Sequence, residues 1–399
     1  MKKYLVVIVT LIMTLVLVAC GGKKTIKIGV VLPDAAEERW KNQDGAFLEA
    51  ELKALGEGYE FEILFSDGDE AKEKANVEAL ISRGAEVIIL TAHGSGAGAA
   101  EAAADAGVVL IAHDRMAKSD NHVADYYTTF NSWNVGKAQG QHLVDMAKKE
   151  LGDDTEAKID IAIYAGRTAD WPNATYFFGG AIEALHASGL KDQFNIITEN
   201  ADDVMALLEG SIITEANFDE AARTKLQAAM NKVDTDWNME VAKTKAEATT
   251  ANLTKGSDAV LVLAPNDDTS QAIRQVFADL GQDAYENYYT TGQDASDVTV
   301  ASLMGDTDKG KGTQTMTVFK DTSKLSADSV KIAKNVIDGK PGLTGLTSGP
   351  KIDGADTAYT EIDVLLATDP QKTYDLIFKS GYKNESNSTF SNIDFSKYK

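Results

Sequence analysis

Residues 86–113 read EVIILTAHGSGAGAAEAAADAGVVLIAH. An apolar run leads into glycines at 94, 96 and 98, an alanine-rich segment follows, and a second apolar run closes the stretch. Alanine is the strongest helix former, and short runs of Val, Ile and Leu bounded by turn residues read as strands. Two such strands joined by a helix form a βαβ unit, whose strands run parallel. Strand, glycine loop, helix is also the layout of a phosphate cradle. The spacing here is G-x-G-x-G, not G-x-G-x-x-G, and no P-loop lysine follows. The loop is expected instead to be a cleft wall at the third strand end, with backbone N–H groups at a helix start. Of its side chains, only His93 is expected to add to a site.

The same alternation extends both ways. Strands are predicted at 26–32 (IKIGVVL) and 59–65 (YEFEILF), with helices over 36–55 and 70–83. The pattern restarts after YYTTFNSWNVG, with helices at 134–151 and 174–188, strand KIDIAIYAG between them, and a short strand FNIIT. Then follow strand 258–264, helix 268–280, strand 287–292, helix 295–304, strand 313–319 and a last helix 323–338. A glycine- and proline-bearing loop and a tail complete the chain. The strands are rich in Val, Ile and Leu, as expected where both sheet faces are covered. This predicts an α/β class with two doubly wound lobes. The expected division is 25–129 plus 320–358 for an N-terminal lobe and 130–319 plus 359–399 for a C-terminal lobe, with a helical insertion at about 199–234.

At 399 residues the chain suits two domains. With 44% apolar and 25% charged residues it has the balance of a soluble globular protein. MKKYLVVIVTLIMTLVLVACGG opens it: two lysines, then an uncharged apolar run from Tyr4 to Ala19. That run is shorter than a membrane span requires and has the layout of an export signal. It ends in Leu17-Val18-Ala19-Cys20, which resembles a bacterial lipobox and implies cleavage before Cys20, lipidation of that residue, and an extracytoplasmic protein anchored to the cell membrane. Residues 1–19 are thus expected to be signal peptide and 20–24 a lipidated linker. Cys20 is the only cysteine, so no disulfide framework is expected. The formal net charge is −22. An acidic exported protein repels nucleic acid and anionic lipid, which removes those partners.

In open parallel sheets, ligands sit beyond the carboxyl ends of the strands. Those positions here hold Arg39-Trp40, Asp114-Arg115, Asn173, Asn266-Asp267, Asp294 and Lys320. Each alone also reads as a helix cap or a loop ion pair. Together they form a donor and acceptor set fitted to a neutral polyol, whose hydroxyls each donate once and accept twice. The segments ERW, HDRM, NDDTSQAI, GQDASD and GTQTMTVFK, in this order, resemble the pentose and aldose binding proteins of bacterial ABC importers, the type I periplasmic binding proteins. The similarity is strong over about 25–140 and 257–340.

The resemblance implies two α/β lobes joined by three hinge crossings and closing on a monosaccharide. It implies hydrogen bonds from Arg39, Asp114, Arg115, Asn173, Asn266, Asp294 and Lys320, and stacking by Trp40. A second stacking ring is expected from VDTDWNMEVA, making Trp237 the candidate and Trp171 an alternative. A core tryptophan is an equal reading of Trp237. The sugar the resemblance implies is a xylose-like pentose or a related aldose; where the family has FDN after the hinge strand, this chain has Phe130-Asn131-Ser132, which leaves room for one polar contact, and with it the choice among these sugars, to differ. The implied partners are the sugar, the permease's transmembrane subunits and the membrane through Cys20. The expected state is a monomer with no cofactor and no metal. A sensor subunit for chemotaxis or a kinase has the same sequence signature. A glycoside-active enzyme is disfavoured: the chain has no G-x-S-x-G elbow and no H-E-x-x-H spacing. DTDKGKG (306–312) lacks the glutamate of a calcium loop and reads as a turn.

Overall fold

The computed structural model describes residues 25–35, 39–281, 283–306 and 314–399. The export signal, Cys20 and most of DTDKGKG lie outside the described residues. The chain divides into two compact units. The first is the chain up to Tyr127 with Ser326–Gly345 and Asp353–Asp356; the second is Thr128–Leu325 with Leu346–Ile352 and Thr357–Lys399.

In the first unit, β1 (Ile26–Leu32), β2 (Tyr59–Phe65), β3 (Ala85–Leu90) and β4 (Val109–His113) alternate with α1 (Gly45–Ala54), α2 (Glu70–Ser82) and α3 (Ala97–Ala106). Strand order is β2-β1-β3-β4, all parallel. The order reverses between β1 and β3, so the loops after those two strands open a crevice at the carboxyl edge. Val30, Val31, Ile88, Ile89 and Ile111 are buried, which matches the unbroken apolar reading of the central strands. β2 lies at the edge; its first four residues alternate between half-buried and exposed and its last three are half-buried. The predicted helix over 36–55 is shorter: a π-helical turn, Arg39–Asp44, leads into α1.

The glycine loop serves packing within this unit. A Cβ on Gly94 would lie 1.8 Å from Glu70 Oε1, and one on Gly96 would lie 2.8 Å from Ala117 Cβ. Gly96 also has φ +65°, which a side chain would strain. The His93 N–H donates to Glu73 Oε2 at 2.7 Å. Glu73 is 1% exposed, and burial raises its pKa to about 7, against the lowering effect of that hydrogen bond. Glu70 adds to the rise and Arg115 opposes it. The folded state therefore holds a proton on Glu73 that the unfolded chain releases above its ordinary 4.5. Stability falls as pH rises from 4.5 toward 7, by at most about 1.4 kcal/mol per unit. Glu73→Gln should remove this loss: thermal melts at pH 5 and pH 8 are expected to favour the variant only at pH 8, and equal gains at both would refute the assignment.

The second unit contains α4 (Ser132–Leu151), β6 (Ile159–Ile163), α5 (Asn173–Ala187), β7 (Phe194–Ile196), α6 (Ala201–Glu209), α7 (Glu220–Asn231), α8 (Met239–Thr250), β8 (Ser257–Leu263), α9 (Asp267–Ala278), β9 (Tyr285–Thr290), α10 (Asp297–Leu303) and β10 (Met316–Phe319). β5 (Tyr126–Phe130) precedes it and runs across the boundary from the first unit. The parallel sheet has the order β7-β6-β8-β9, with its reversal between β6 and β8. α5 is buried nearly all round and packs on α4 through glycine: a Cβ on Gly136 would fall 1.7 Å from Phe177 O, and one on Gly180 would fall 2.0 Å from Trp133 O.

The last helix, α11 (Thr322–Ile337), begins in the second unit and continues into the first. The C-terminal stretch read as loop and tail contains two strands. β11 (Asp356–Thr360) joins β5 at the edge of the six-stranded sheet, and β12 (Asp363–Leu366) pairs antiparallel with β10. Beyond them Tyr374, Ile377, Phe378 and Phe390 bury themselves against α10, so the tail is part of the second core.

Candidate functional site

In the first unit, the π-helical turn after β1 and the turn after β4 bring four predicted residues together. Arg39 Nη2 lies 2.9 Å from Asp114 Oδ1, and Arg39 Nε donates to Asp44 Oδ2 at 3.2 Å. The Arg39 and Arg115 guanidinium carbons lie 4.4 and 4.9 Å from the Trp40 ring centroid. Trp40 is 1% exposed and is a platform for two cations. Asp114 has φ +64°, a strained conformation for a side chain. The Tyr127 hydroxyl holds it by donating to the Asp114 carbonyl at 3.0 Å.

In the second unit, the loops after β6, β8, β9 and β10 supply the rest. Lys320 Nζ lies 2.6 Å from Asp294 Oδ1 and is 5.4 Å from the Phe177 ring centroid and 5.8 Å from that of Phe130. The Phe177 ring meets Trp237 edge to face at 6.2 Å. Trp237 Nε1 donates to Asp170 Oδ2 at 3.1 Å. Trp237 is partly buried and lies against the cluster of Val135, Phe177, Met316 and Val318. Lys320, Asp294, Phe177 and Trp237 thus form a connected cationic, anionic and aromatic series.

Two amides are polarised by local bonds. Asn173 Oδ1 accepts from Ser132 Oγ at 3.0 Å. Asn266 caps α9, its Oδ1 accepting from Thr269 N at 3.1 Å and from Thr269 Oγ1 at 2.6 Å. Its carbonyl oxygen is engaged in the cap, so Asn266 has its NH₂ to offer as a donor. Asn131 of the Phe130-Asn131-Ser132 departure caps α4 through Asn134 N.

Trp171, the alternative second stacking ring, lies in an aromatic cluster of the second unit. Its ring stacks on Phe218 at 5.9 Å, and the Arg223 guanidinium lies 4.1 Å from its centroid. Both partners come from the helical segment between β7 and α8, which packs against this tryptophan. Trp133 and Tyr176 complete the cluster.

Asp267, which follows Asn266 beyond β8, supports the site from within the protein. It is buried, accepts from Ser296 N and Thr317 Oγ1, each at 2.8 Å, and its own N–H donates to Gln293 O. Burial, with the nearby Asp294 charge, holds its pKa well above the usual carboxylate range. It clamps the turn that presents Asp294, whose φ is +96°. A Cβ on Gly292 would lie 2.1 Å from Asp267 Oδ1, so only glycine fits beside the clamp. In sequence, NDD reads as an ordinary helix start, and nothing in it marks the second residue as buried. Among the described residues, no group of three or more His, Cys, Asp or Glu is arranged to hold a metal ion.

Two parallel α/β units, each with its polar groups beyond the strand ends, define a two-domain binding protein. The chain belongs to the periplasmic binding protein domain family, which matches residues 28–341. This is a family of solute-binding proteins, not of enzymes. Over 319 residues the chain is 26% identical to the multiple sugar-binding periplasmic receptor ChvE of Rhizobium radiobacter, covering 78% of each chain. It is 25% identical to the D-xylose-binding periplasmic protein of Escherichia coli over 91% of this chain and 92% of that protein. Among solved structures, a carbohydrate transporter solute binding protein from Chloroflexus aurantiacus in complex with D-glucose is 33% identical, with a TM-score of 0.72, covering 93% of this chain and 100% of that one.

Proposed function

We propose that this protein is the extracytoplasmic receptor of a sugar ABC importer and takes a monosaccharide, a xylose-like pentose or a related aldose, held by residues of both units. The observation that carries the reading is the paired arrangement at the strand ends: Arg39 with Asp114 in one unit, Lys320 with Asp294 in the other. Carboxylates accept from sugar hydroxyls, and guanidinium and ammonium groups donate to them. Charge-assisted bonds contribute roughly 1.5–3 kcal/mol each, enough for several to offset desolvation. The Asn173 and Asn266 amides add donors, and Trp237 offers the apolar C–H face of a pyranose a flat ring.

The relatives named for D-xylose and solved with D-glucose support an aldose of their shared ring configuration. The two sugars differ by the hydroxymethyl group alone. The sugar passes to the membrane subunits of a permease, and lipidation of Cys20 keeps the receptor at the membrane as a monomer. Binding acts by shifting an equilibrium between open and closed forms, without chemistry. The receptor name of the Rhizobium radiobacter relative favours one second reading, a sensor that reports sugar occupancy. Titration calorimetry with D-xylose, D-glucose, L-arabinose and D-ribose is expected to give heat with at least one of the first two. Absence of binding to every monosaccharide would overturn the ligand class.

A further inference from the structure

Beneath the Arg39–Asp114 pair lies a chain of buried polar groups that the sugar reading does not use. His113 Nε2 is 3.0 Å from Asp44 Oδ1, and His113 Nδ1 is 2.8 Å from Ser329 Oγ. Both the imidazole and the Asp44 carboxylate are fully buried, with 0% exposure. The second oxygen of Asp44 accepts from Arg39 Nε. A neutral imidazole has one donor and one acceptor nitrogen. With Nε2–H directed to the carboxylate, Nδ1 accepts from the Ser329 hydroxyl, so one tautomer satisfies both neighbours. Three distant segments meet here: the turn after β1, the end of β4, and α11 from late in the chain.

A guanidinium is a rigid planar fork. Asp44 holds its Nε, Asp114 holds its Nη2, and the Trp40 ring lies against its carbon. The directional hydrogen bond from Nε to Asp44 orients the plane, and the ion pair with Asp114 draws its far end toward that carboxylate. Without Asp44 the guanidinium loses the hydrogen bond that sets its plane beside Asp114.

We infer that His113 and Asp44 are positioning residues that set the Arg39 guanidinium for ligand recognition, with Ser329 fixing the imidazole. This rests on the sugar-binding reading for its functional consequence but not for its geometry. Asp44→Leu, close to aspartate in shape and without its charge, is expected to weaken D-xylose or D-glucose binding at least tenfold. In an Arg39→Met background the same change is expected to have no further effect, because it acts through Arg39. His113→Leu should weaken binding about as much as Asp44→Leu. His113→Gln keeps an N–H donor toward Asp44 and should hold the affinity within about threefold of wild type, which also covers the case where Asp44→Leu fails to fold. In the ligand-free protein, the NMR signal of Arg39 Nε–H, assigned by its loss in Arg39→Met, should exchange slowly in wild type and rapidly in Asp44→Leu and His113→Leu. Effects of Asp44→Leu and Arg39→Met that multiply, or an Nε–H signal as protected in the variants as in wild type, would overturn the inference. If wild type binds neither sugar, the functional reading fails, and the exchange of Nε–H still decides whether His113 and Asp44 hold Arg39.

Discussion

Gly136→Ala is expected to destabilise the second unit by about 3 kcal/mol, near the upper end of what overpacking costs. In an ordinary exposed helix the change would gain up to about 1 kcal/mol, because alanine is the better helix former. Here the new Cβ would lie 1.7 Å from Phe177 O and 2.6 Å from Phe177 C. Those are backbone atoms, so no rotamer change relieves the overlap. α4 and α5 must separate, and they touch at further glycines: Gly140 faces the Ala181 backbone and Gly180 faces the Trp133 carbonyl. Separation also shifts Phe177, whose ring lies between Lys320 and Trp237. A thermal melt followed by circular dichroism should show a transition lowered by several degrees, with weaker sugar binding in the fraction that remains folded. A melt unchanged from wild type would show that the helices are not in backbone contact.

The second large effect is on binding. Asp294→Ala and Arg115→Ala are each expected to raise the dissociation constant at least tenfold, about 1.4 kcal/mol or more. For Asp294 two losses combine. The ligand loses a charged acceptor, and Lys320, only 8% exposed, loses the carboxylate 2.6 Å from its ammonium. Removing one partner of a buried pair costs more than the pair contributes, because the other charge is left without compensation. The Asp294 side chain is about one-third exposed, and water tempers that loss. Arg115 stands over Trp40 beside Arg39, so its removal strips one cation from the ring that supports both. Calorimetry on the two variants, with intact folds checked by circular dichroism, measures the effect. Wild-type affinity in both would remove these residues from the site.

The class of the fold was legible because its central strands are buried on both faces. Val30, Ile89 and Ile111 leave an unbroken apolar signal, and the expected bounds 26–32 and 59–65 coincide with β1 and β2. The short strands β5, β11 and β12 lack that signal. β5, YYTTF, is aromatic and threonine-rich and stands where the alternation restarts. β11 and β12 are five and four residues long, and β12 depends on a partner more than forty positions upstream, Met316–Phe319. A short strand whose pairing is distant has no local pattern to distinguish it from a loop.

The candidate site divides in the same way. Sequence determined which polar residues follow each strand, because strand ends and the side chains beyond them are local facts. Arg39, Asp114, Asp294 and Lys320 could be named without coordinates. Which of these pair, and what holds them, was a tertiary decision. Asp44, His113 and Ser329 come from segments up to 285 positions apart, counting from 44 to 329, and meet only when α11 returns to the first unit. Trp171 shows the converse: a tryptophan well placed in sequence is engaged by Phe218 and Arg223 from a helical segment whose packing no local pattern revealed. Hydrophobic periodicity reports what a residue's own element buries. It says nothing of which distant groups share a buried charge, and that is set by close packing of elements that the chain brings together late.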